Sequence, residues 1–475
     1  MALVFVLWVM VILSAVALEM RFSSHLRIQV TANMGASTKA LYLARAGVER
    51  AVADVDEGRD AVQALADLRE GDSRTYANVA LGDGAYTLYA GIDTTGNPVY
   101  GLVDEAAKID VNKAERSSLA RVPGLDADLA AAIEALRKEE ELRELDGLLI
   151  LEGMDLLTLY GEDQNQNGLL DPNEDDGDES WPPDNADGML DGGVSAWLTV
   201  WSAARNVTAE GEKRADLSKA GAEELQENLP GISSQQADSI VAHRQKGKFS
   251  SIADLLDIDL VEKVAKDEKD GQGKEGERDR RPPQNGPPPN EGAKEQPEGE
   301  KQGKEADDSP KEGDGPSDDK DQQGKPPEGE QQSQESQETY KSTGQKAFDM
   351  ATFRRVADFV TTSEDEVLRG LVNVNTAPYE VLACVEDMDE AVARAIVRER
   401  ATRPEGFTSI ADLLDVEGVS ESVFKKLCGR LSVRSDVFSV RSFGVVEPDG
   451  AYCCVMAVID RTEDELRLRR WRELE

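Results

Sequence analysis

The chain has 475 residues, with 54 Lys and Arg against 94 Asp and Glu, for a formal net charge of −40. That length allows two to four domains, and the negative field repels phosphate backbones while favouring divalent cations and basic partners, which argues against nucleic acid as a partner. With two histidines, four cysteines, no Ser/His/Asp order, no glycine-rich phosphate loop and no Cys/His cluster, the chain is read as a non-enzyme.

From Ala2 to Leu18 no residue is charged, and such a run makes about 26 Å of helix, close to the thickness of a bilayer core. It reads as a single membrane span. A secretory signal would start with basic residues and end at a small-residue cleavage site, but the first basic residue is Arg21 and the pattern continues past Glu19 without a proline. Met34, Leu41, Val48 and Val55 recur every seven residues, with Val30, Ala44 and Ala51 on the same side. One helix should therefore leave the membrane and bury its outer half on a globular domain. Arg21 and Arg27 follow the span and nothing basic precedes it, so the positive-inside rule alone would leave the large domain in the cytoplasm.

The apolar N-terminus opening directly on the span, followed by ARAGVERA from Ala44 to Ala51, resembles the type IV pilin-like proteins, and among them the K-type minor pseudopilins of the type II secretion system (general secretion pathway protein K). Most pilin-like subunits carry a glutamate at the fifth mature position. Here Phe5 stands there, a departure that the K-type subunits share. The family's basic leader is not in the sequence, and the expectation is either that the chain begins at or near the mature end or that its start is placed too late. The resemblance implies an α+β fold, with a long N-terminal membrane-spanning helix packed on a small antiparallel pilin-like sheet. It also implies a precursor cut by prepilin peptidase, a single pass through the inner membrane with the large domain in the periplasm, and a cap on the pseudopilus tip made with other minor pseudopilins. A basic leader, once cleaved, would reconcile that orientation with the charge rule.

Past the helix (1–58), the period changes to two. In GAYTLYAGID, Tyr86, Leu88, Ala90 and Ile92 alternate with less apolar neighbours after a Gly82-Asp83-Gly84 turn. A matching set closes the chain: VFSVRSFGVV from Val437, a Pro448-Asp449-Gly450 turn, AYCCVMAVIDR, and LRLRRW from Leu466. Strands at both ends predict one sheet in two halves (73–108 and 434–475), interrupted by a large, mostly helical insertion. Cys453 and Cys454 should point to opposite faces of their strand. Cys384 and Cys428 are compatible with a disulfide or with two buried thiols.

The insertion repeats one unit three times, twice in 109–265 and once in 347–433. Asn112, Ser218 and Asn375 precede Ala114, Ala220 and Ala377, with Leu119, Leu225 and Leu382 following at equal spacing. Each second helix repeats an Ala and an Ile (Ala130 and Ile133, Ala237 and Ile240, Ala393 and Ile396) and ends near Arg137, Arg244 or Arg400. FSSIADLLDI from Phe249 and FTSIADLLDV from Phe407 are nearly the same, with LDGLL from Leu145 a weaker copy. Asn or Ser ahead of a helix is expected to be its N-cap. Short helices joined by Pro123-Gly124 and Pro230-Gly231 resemble helix-hairpin-helix motifs, and the third unit has Glu386-Asp387 there. That opens an alternative function, a membrane-tethered DNA receptor of the uptake type. Where DNA-binding hairpins carry a second glycine, this chain has Asp126, Ser233 and Asp389, and carboxylates there oppose a phosphate.

Residues 266–346 are dominated by Lys, Glu, Asp, Gly, Pro and Gln, and large apolar residues almost vanish. They are expected to be a disordered, acidic linker separating the second repeat from the third. Between the first and second repeats, Asp163, Asn165, Asn167, Gly168, Asp171 and Glu174 occupy positions 1, 3, 5, 6, 9 and 12 of an EF-hand-type calcium loop, with the Leu169 carbonyl at 7. Calcium is the expected cofactor, held by Asp163, Asn165, Asn167, Leu169, Asp171 and Glu174. The loop has no basic residue of its own to neutralise its carboxylates. A poorer copy follows, in which Asn185, Asp187, Gly188 and Asp191 fit but the outer positions are Pro183 and Val194.

Overall fold

Ala2–Glu57 form one uninterrupted helix, α1, in a computed structural model that describes residues 2–57, 73–92, 97–177, 179–264, 339–447 and 450–474. Its apolar start is long enough to cross a membrane by length and composition. No residue before Ala36 is buried, whereas Ala40, Leu43, Ala44, Gly47, Val48, Ala51 and Val55 are. The expected stripe is therefore correct from Ala44 onward. Val30 and Met34, 47% and 67% exposed, are not on it, because they lie ahead of the part of the helix that meets the sheet.

The sheet comprises β1 (Val79–Leu81), β2 (Gly84–Ile92), β3 (Pro98–Tyr100), β4 (Val103–Asp104), β5 (Val437–Val446), β6 (Ala451–Asp460) and β7 (Arg467–Leu474), all pairing antiparallel. Its main order is β1-β2-β5-β6-β7, with β3 on β2 and β4 on β5. The first half of the chain's sheet is thus completed by its last forty residues, as the two-ended strand pattern predicts. Period-two alternation then assigns the faces. Tyr86, Leu88, Phe438, Val440, Val455, Ala457 and Ile459 meet α1, while Tyr89, Phe443, Cys454 and Met456 form a core on the other face. Cys453 instead packs beside Ala40 and Leu43, so the two adjacent thiols do face opposite ways. Residues 448 and 449 of the expected turn lie outside the described residues.

Everything from Glu105 to Asp436 is inserted between β4 and β5. Each repeat is a closed unit: a two-residue strand, a helical hairpin, a 3-10 turn, a third helix, and a second two-residue strand that pairs in parallel with the first. The closing pairs are Ile109 with Leu198, Ala215 with Val360, and Val372 with Leu431. The repeated Leu119, Leu225 and Leu382, and the Ala/Ile pairs of the second helices, are all fully buried in one continuous core.

These closures correct the expected position of the linker. In the third unit the helix Glu421–Leu427 follows the 3-10 turn Ile410–Asp415 closely; in the second, Met350–Val356 is its counterpart, with Phe353 stacked edge-on against Phe424. The acidic stretch therefore interrupts the second unit instead of separating it from the third. Its last residues, Thr339–Lys346, form a strand against Asp259–Val264, and Thr343 Oγ1 donates to Leu260 O. Eight residues assigned to the linker are thus ordered, because the edge of Asp259–Val264 offers partners for their backbone groups. Residues 265–338 lie outside the described residues. Because paired strands bring the two ends together, replacing 265–338 with a short Gly/Ser turn should leave the melting temperature within about 2 °C of wild type, since lengthening a closed loop costs little. A larger fall in a thermal melt would mean that the segment contributes packing.

Candidate functional site

Asp163–Glu174 sits under the sheet face opposite α1. Leu169 packs into the Tyr89/Phe443/Cys454/Met456/Leu474 core, and Arg472 Nη1 donates to Gln166 Oε1 at 2.9 Å. The loop folds through side chain to backbone turns: Asn165 Oδ1 accepts from Asn167 N, Asn167 Oδ1 from Leu169 N, and the Asp163 carboxylate from Gly168 N. Gly168 has φ +73, which favours glycine. Both Asn165 Nδ2 and Asn167 Nδ2 donate to Asp171 Oδ2 at 2.8 Å. All six expected ligands are therefore neighbours in one loop, with the two amide nitrogens turned toward Asp171.

Two features differ from the expectation. Although the loop has no basic residue of its own, Arg441 from β5 supplies one, lying against Gly168 and drawing the Asp163 carboxyl down against the larger upward effect of burial. Glu174 is 2% exposed and its Oε2 accepts from Asp171 N, so it closes the turn even without a cation. Burial, then the charges of Asp163 and Asp171, push its carboxyl up to about 7, although the Asp171 amide pulls the other way.

Glu162, which the loop template does not include, is 5% exposed and accepts from Asp191 N, tying the first loop to the second. The second loop repeats the turns, with Asn185 Oδ1 accepting from Asp187 N and Asp187 Oδ1 from Met189 N. Among the described residues no three His, Cys, Asp or Glu side chains converge closely enough to hold a metal on their own. Any cation here would depend on the asparagine and main-chain oxygens as well. The oxygen-only donor set fits a hard ion such as calcium.

The hairpins form the second candidate site, and their N-caps are not those expected. Asn112 and Asn375 do not cap helices; each clamps the chain just past its hairpin, Asn112 through Leu142 N and O and Asn375 through Phe407 N and O. The turn before each hairpin is made two residues earlier, by Asp110, Asp216 and Asn373. Within each hairpin the helix whose N-cap side chain accepts from the helix amides is the second one. Asp126 accepts from Asp128 N and Leu129 N, Ser233 from Gln236 N and Asp389 from Ala391 N. These are amides that a phosphate at the hairpin would need. The repeated arginines turn inward as well, Arg137 to Val111 O and Ala114 O, Arg244 to Ala220 O, Arg400 to Val374 O and Ala377 O. Gly124, Gly231 and Asp387 share a positive φ of 84, 70 and 62, so the third unit keeps the turn without its glycine.

All four cysteines are free of disulfides. Cys384 lies against Arg121 O, whereas Cys428 is next to Ser251 and Ala253 in the second unit, which settles their alternatives in favour of thiols. His243 stacks at a tilt on Phe249.

Residues 211–265 and 367–432 match the family described as helix-hairpin-helix motif, covering the second and third units. No curated protein matches the chain. A chain of the crystal structure of the GspK-GspI-GspJ complex from the enterotoxigenic Escherichia coli type 2 secretion system is 11% identical over 96% of this chain and 99% of its own, with a TM-score of 0.30, too low to bear on fold or function.

Proposed function

We propose that this chain is a membrane-anchored minor pseudopilin of the K type, capping a type II secretion pseudopilus together with other minor pseudopilins. The observation that carries the reading is α1, with an apolar, wholly exposed first half and a second half seated on an antiparallel sheet closed by both ends of the chain. The insertion of residues 105–436 gives the subunit a large head, which would leave no room for a subunit above it. Cleavage of a precursor by prepilin peptidase and a periplasmic head on a single inner-membrane span belong to the same reading. A DNA receptor is the alternative that the hairpin match keeps in view. Against it stand the net charge of −40, the capped hairpin amides and the inward arginines.

Because nothing before Ala36 is buried, a chain starting after Arg27 should fold and can be mixed with candidate minor pseudopilins and with duplex DNA. Retention of a pseudopilin on co-purification, without DNA, is expected. Salt-sensitive DNA binding with no pseudopilin retained would replace this reading by the receptor.

The proposal extends to calcium at Asp163, Asn165, Asn167, Leu169, Asp171 and Glu174, where the ion would offset carboxylates that burial otherwise disfavours. Since the folded Glu174 carboxyl lies near 7, above its unfolded value, the native state binds the extra proton. In chelator its contribution should therefore be fully present below about pH 4.5 and lost as pH rises through about 7, a difference of roughly 3 kcal/mol. Calcium at a hundredfold excess over Kd should restore about 2.7 kcal/mol at pH 8. Glu174→Gln should flatten the pH dependence in chelator and weaken the calcium effect. Melts of wild type that ignore both pH and calcium would reduce the loop to an acidic turn.

A further inference from the structure

A cavity of about 300 Å³ opens where the second and third units meet, a volume at the small end for ligand pockets. Four arginines line it, Arg205, Arg214, Arg369 and Arg434, against one carboxylate, Asp365. In a chain of net charge −40 that balance is reversed. Three of the arginines are fixed from behind: Arg214 and Arg434 by Asp358, and Arg205 by Asp436. They cannot swing out to solvent, and each guanidinium has five N–H donors to distribute. Arg434 is 6% exposed, yet its Nε has no hydrogen-bond partner. Arg369 is exposed and its side chain makes no hydrogen bond or ion pair among the described residues. Asp365 is also exposed and accepts from Ser363 Oγ.

The remaining wall combines hydroxyls, among them Ser251 and Thr361, with an apolar side formed by Ile252, Val360, Ile410 and Leu431. Ile252 and Ile410 come from the two near-identical SIADLLD turns, so the repeat itself builds the apolar side. Cys428, a buried thiol, lines the same space.

We propose that this cavity binds a small molecule bearing a carboxylate or phosphate, its oxyanion held by Arg369 in the field of the three fixed arginines and its body resting on the isoleucines. Guanidinium groups match both oxyanions in a forked geometry, and a local positive pocket concentrates an anion that the rest of the surface repels. Arg369 is the residue that can close on a ligand, because among the described residues it is the one of the four without a side-chain partner.

Cys428 serves as a reporter. The full-length protein in detergent would be alkylated with iodoacetamide, and labelling of Cys428 and Cys384 read by peptide mass, with inorganic phosphate or citrate at roughly 10 mM and sodium chloride at equal ionic strength as the control. Citrate or phosphate should slow Cys428 labelling about fivefold or more in a saturable way and leave Cys384 unchanged, and Arg369→Ala should raise the concentration needed about tenfold without altering the melt. The anion that protects identifies which oxyanion the cavity takes. Equal protection by chloride, equal slowing at Cys384, or an unaltered response in Arg369→Ala would overturn the proposal. If Cys428 resists labelling under every condition, calorimetric titration of the same two anions into wild type and Arg369→Ala decides, and absence of saturable heat in wild type refutes it.

Discussion

Gly444→Ala is expected to unseat α1 from the sheet and cost about 3 kcal/mol or more, the upper end for overpacking a core. A methyl group at that position would stand 2.1 Å from Ala40 O and 2.4 Å from Ala44 N, and these are backbone atoms of α1 that no rotamer change can move. The approach is closest here because β5 runs directly beneath the helix. Gly47 occupies the same contact from the helix side, its methyl position 2.1 Å from Ser442 Oγ and 2.9 Å from Leu88 and Tyr86 side chains. Side chains can give way, so Gly47→Ala should cost less, about 1 to 2 kcal/mol. Gly35, in the same helix with nothing within 4 Å, is the control; alanine there should be neutral or stabilise by up to about 1 kcal/mol through helix propensity. Urea unfolding of the three variants checks the order, and a Gly444→Ala protein as stable as wild type would mean that helix and sheet are not packed as described.

The second large effect is expected at Asp358. Its carboxylate receives Arg214 Nη2 at 2.8 Å, Arg434 Nη2 at 2.8 Å and Ala209 N at 2.8 Å, with all three side chains mostly buried. Asp358→Ala would leave two guanidinium groups buried without an acid, a loss of about 3 to 5 kcal/mol. The same variant should also loosen the contacts between segments of the insertion, because Arg434 further donates to Val207 O and Thr408 O. Changing Asp358 and Arg434 together to methionine should recover part of the loss, since a buried pair is often replaceable although a broken one is not. A double variant no better than Asp358→Ala would show that the carboxylate acts mainly through Arg214 and Ala209 N. A separate network, in which Asp436 takes Arg461 Nε at 2.9 Å and Arg205 Nε at 3.2 Å while Arg461 Nη1 reaches Val55 O, ties the ends of α1 and β6 to the insertion.

Much of this architecture was legible in the amino-acid order. The uncharged start, the apolar spacing from Ala44 to Val55, the alternation through Tyr86 and Leu88 and the threefold Leu and Ala/Ile pattern each report on local burial, and local burial has a period that a sequence displays. The calcium-type spacing was equally visible, and the turns made by Asn165 and Asn167 follow from it within a few positions, although among the described residues the carboxylates do not converge closely enough to hold a metal on their own.

Features whose partners lie far away along the chain were not legible in this way. Asn112 and Asn375 looked like caps because a helix follows them, but their side chains find backbone groups some thirty residues on. The linker looked like a separator because the closing strand Val360–Thr361 is too short to show a period, and only its pairing with Ala215–Asp216 reveals that one unit encloses the acidic stretch.

The sequence by itself determined the helix, the strand sets, the repeat and the local turns of the acidic loop, since each depends on neighbours within a few turns of chain. The tertiary structure alone decided that Arg441 lies against Gly168, that Leu169 anchors the loop beneath the sheet, and that four arginines from separate segments share one cavity. Those juxtapositions come from closing the sheet with the last forty residues and stacking three units in one core. They rest on packing between distant segments, which leaves no periodic trace in the sequence.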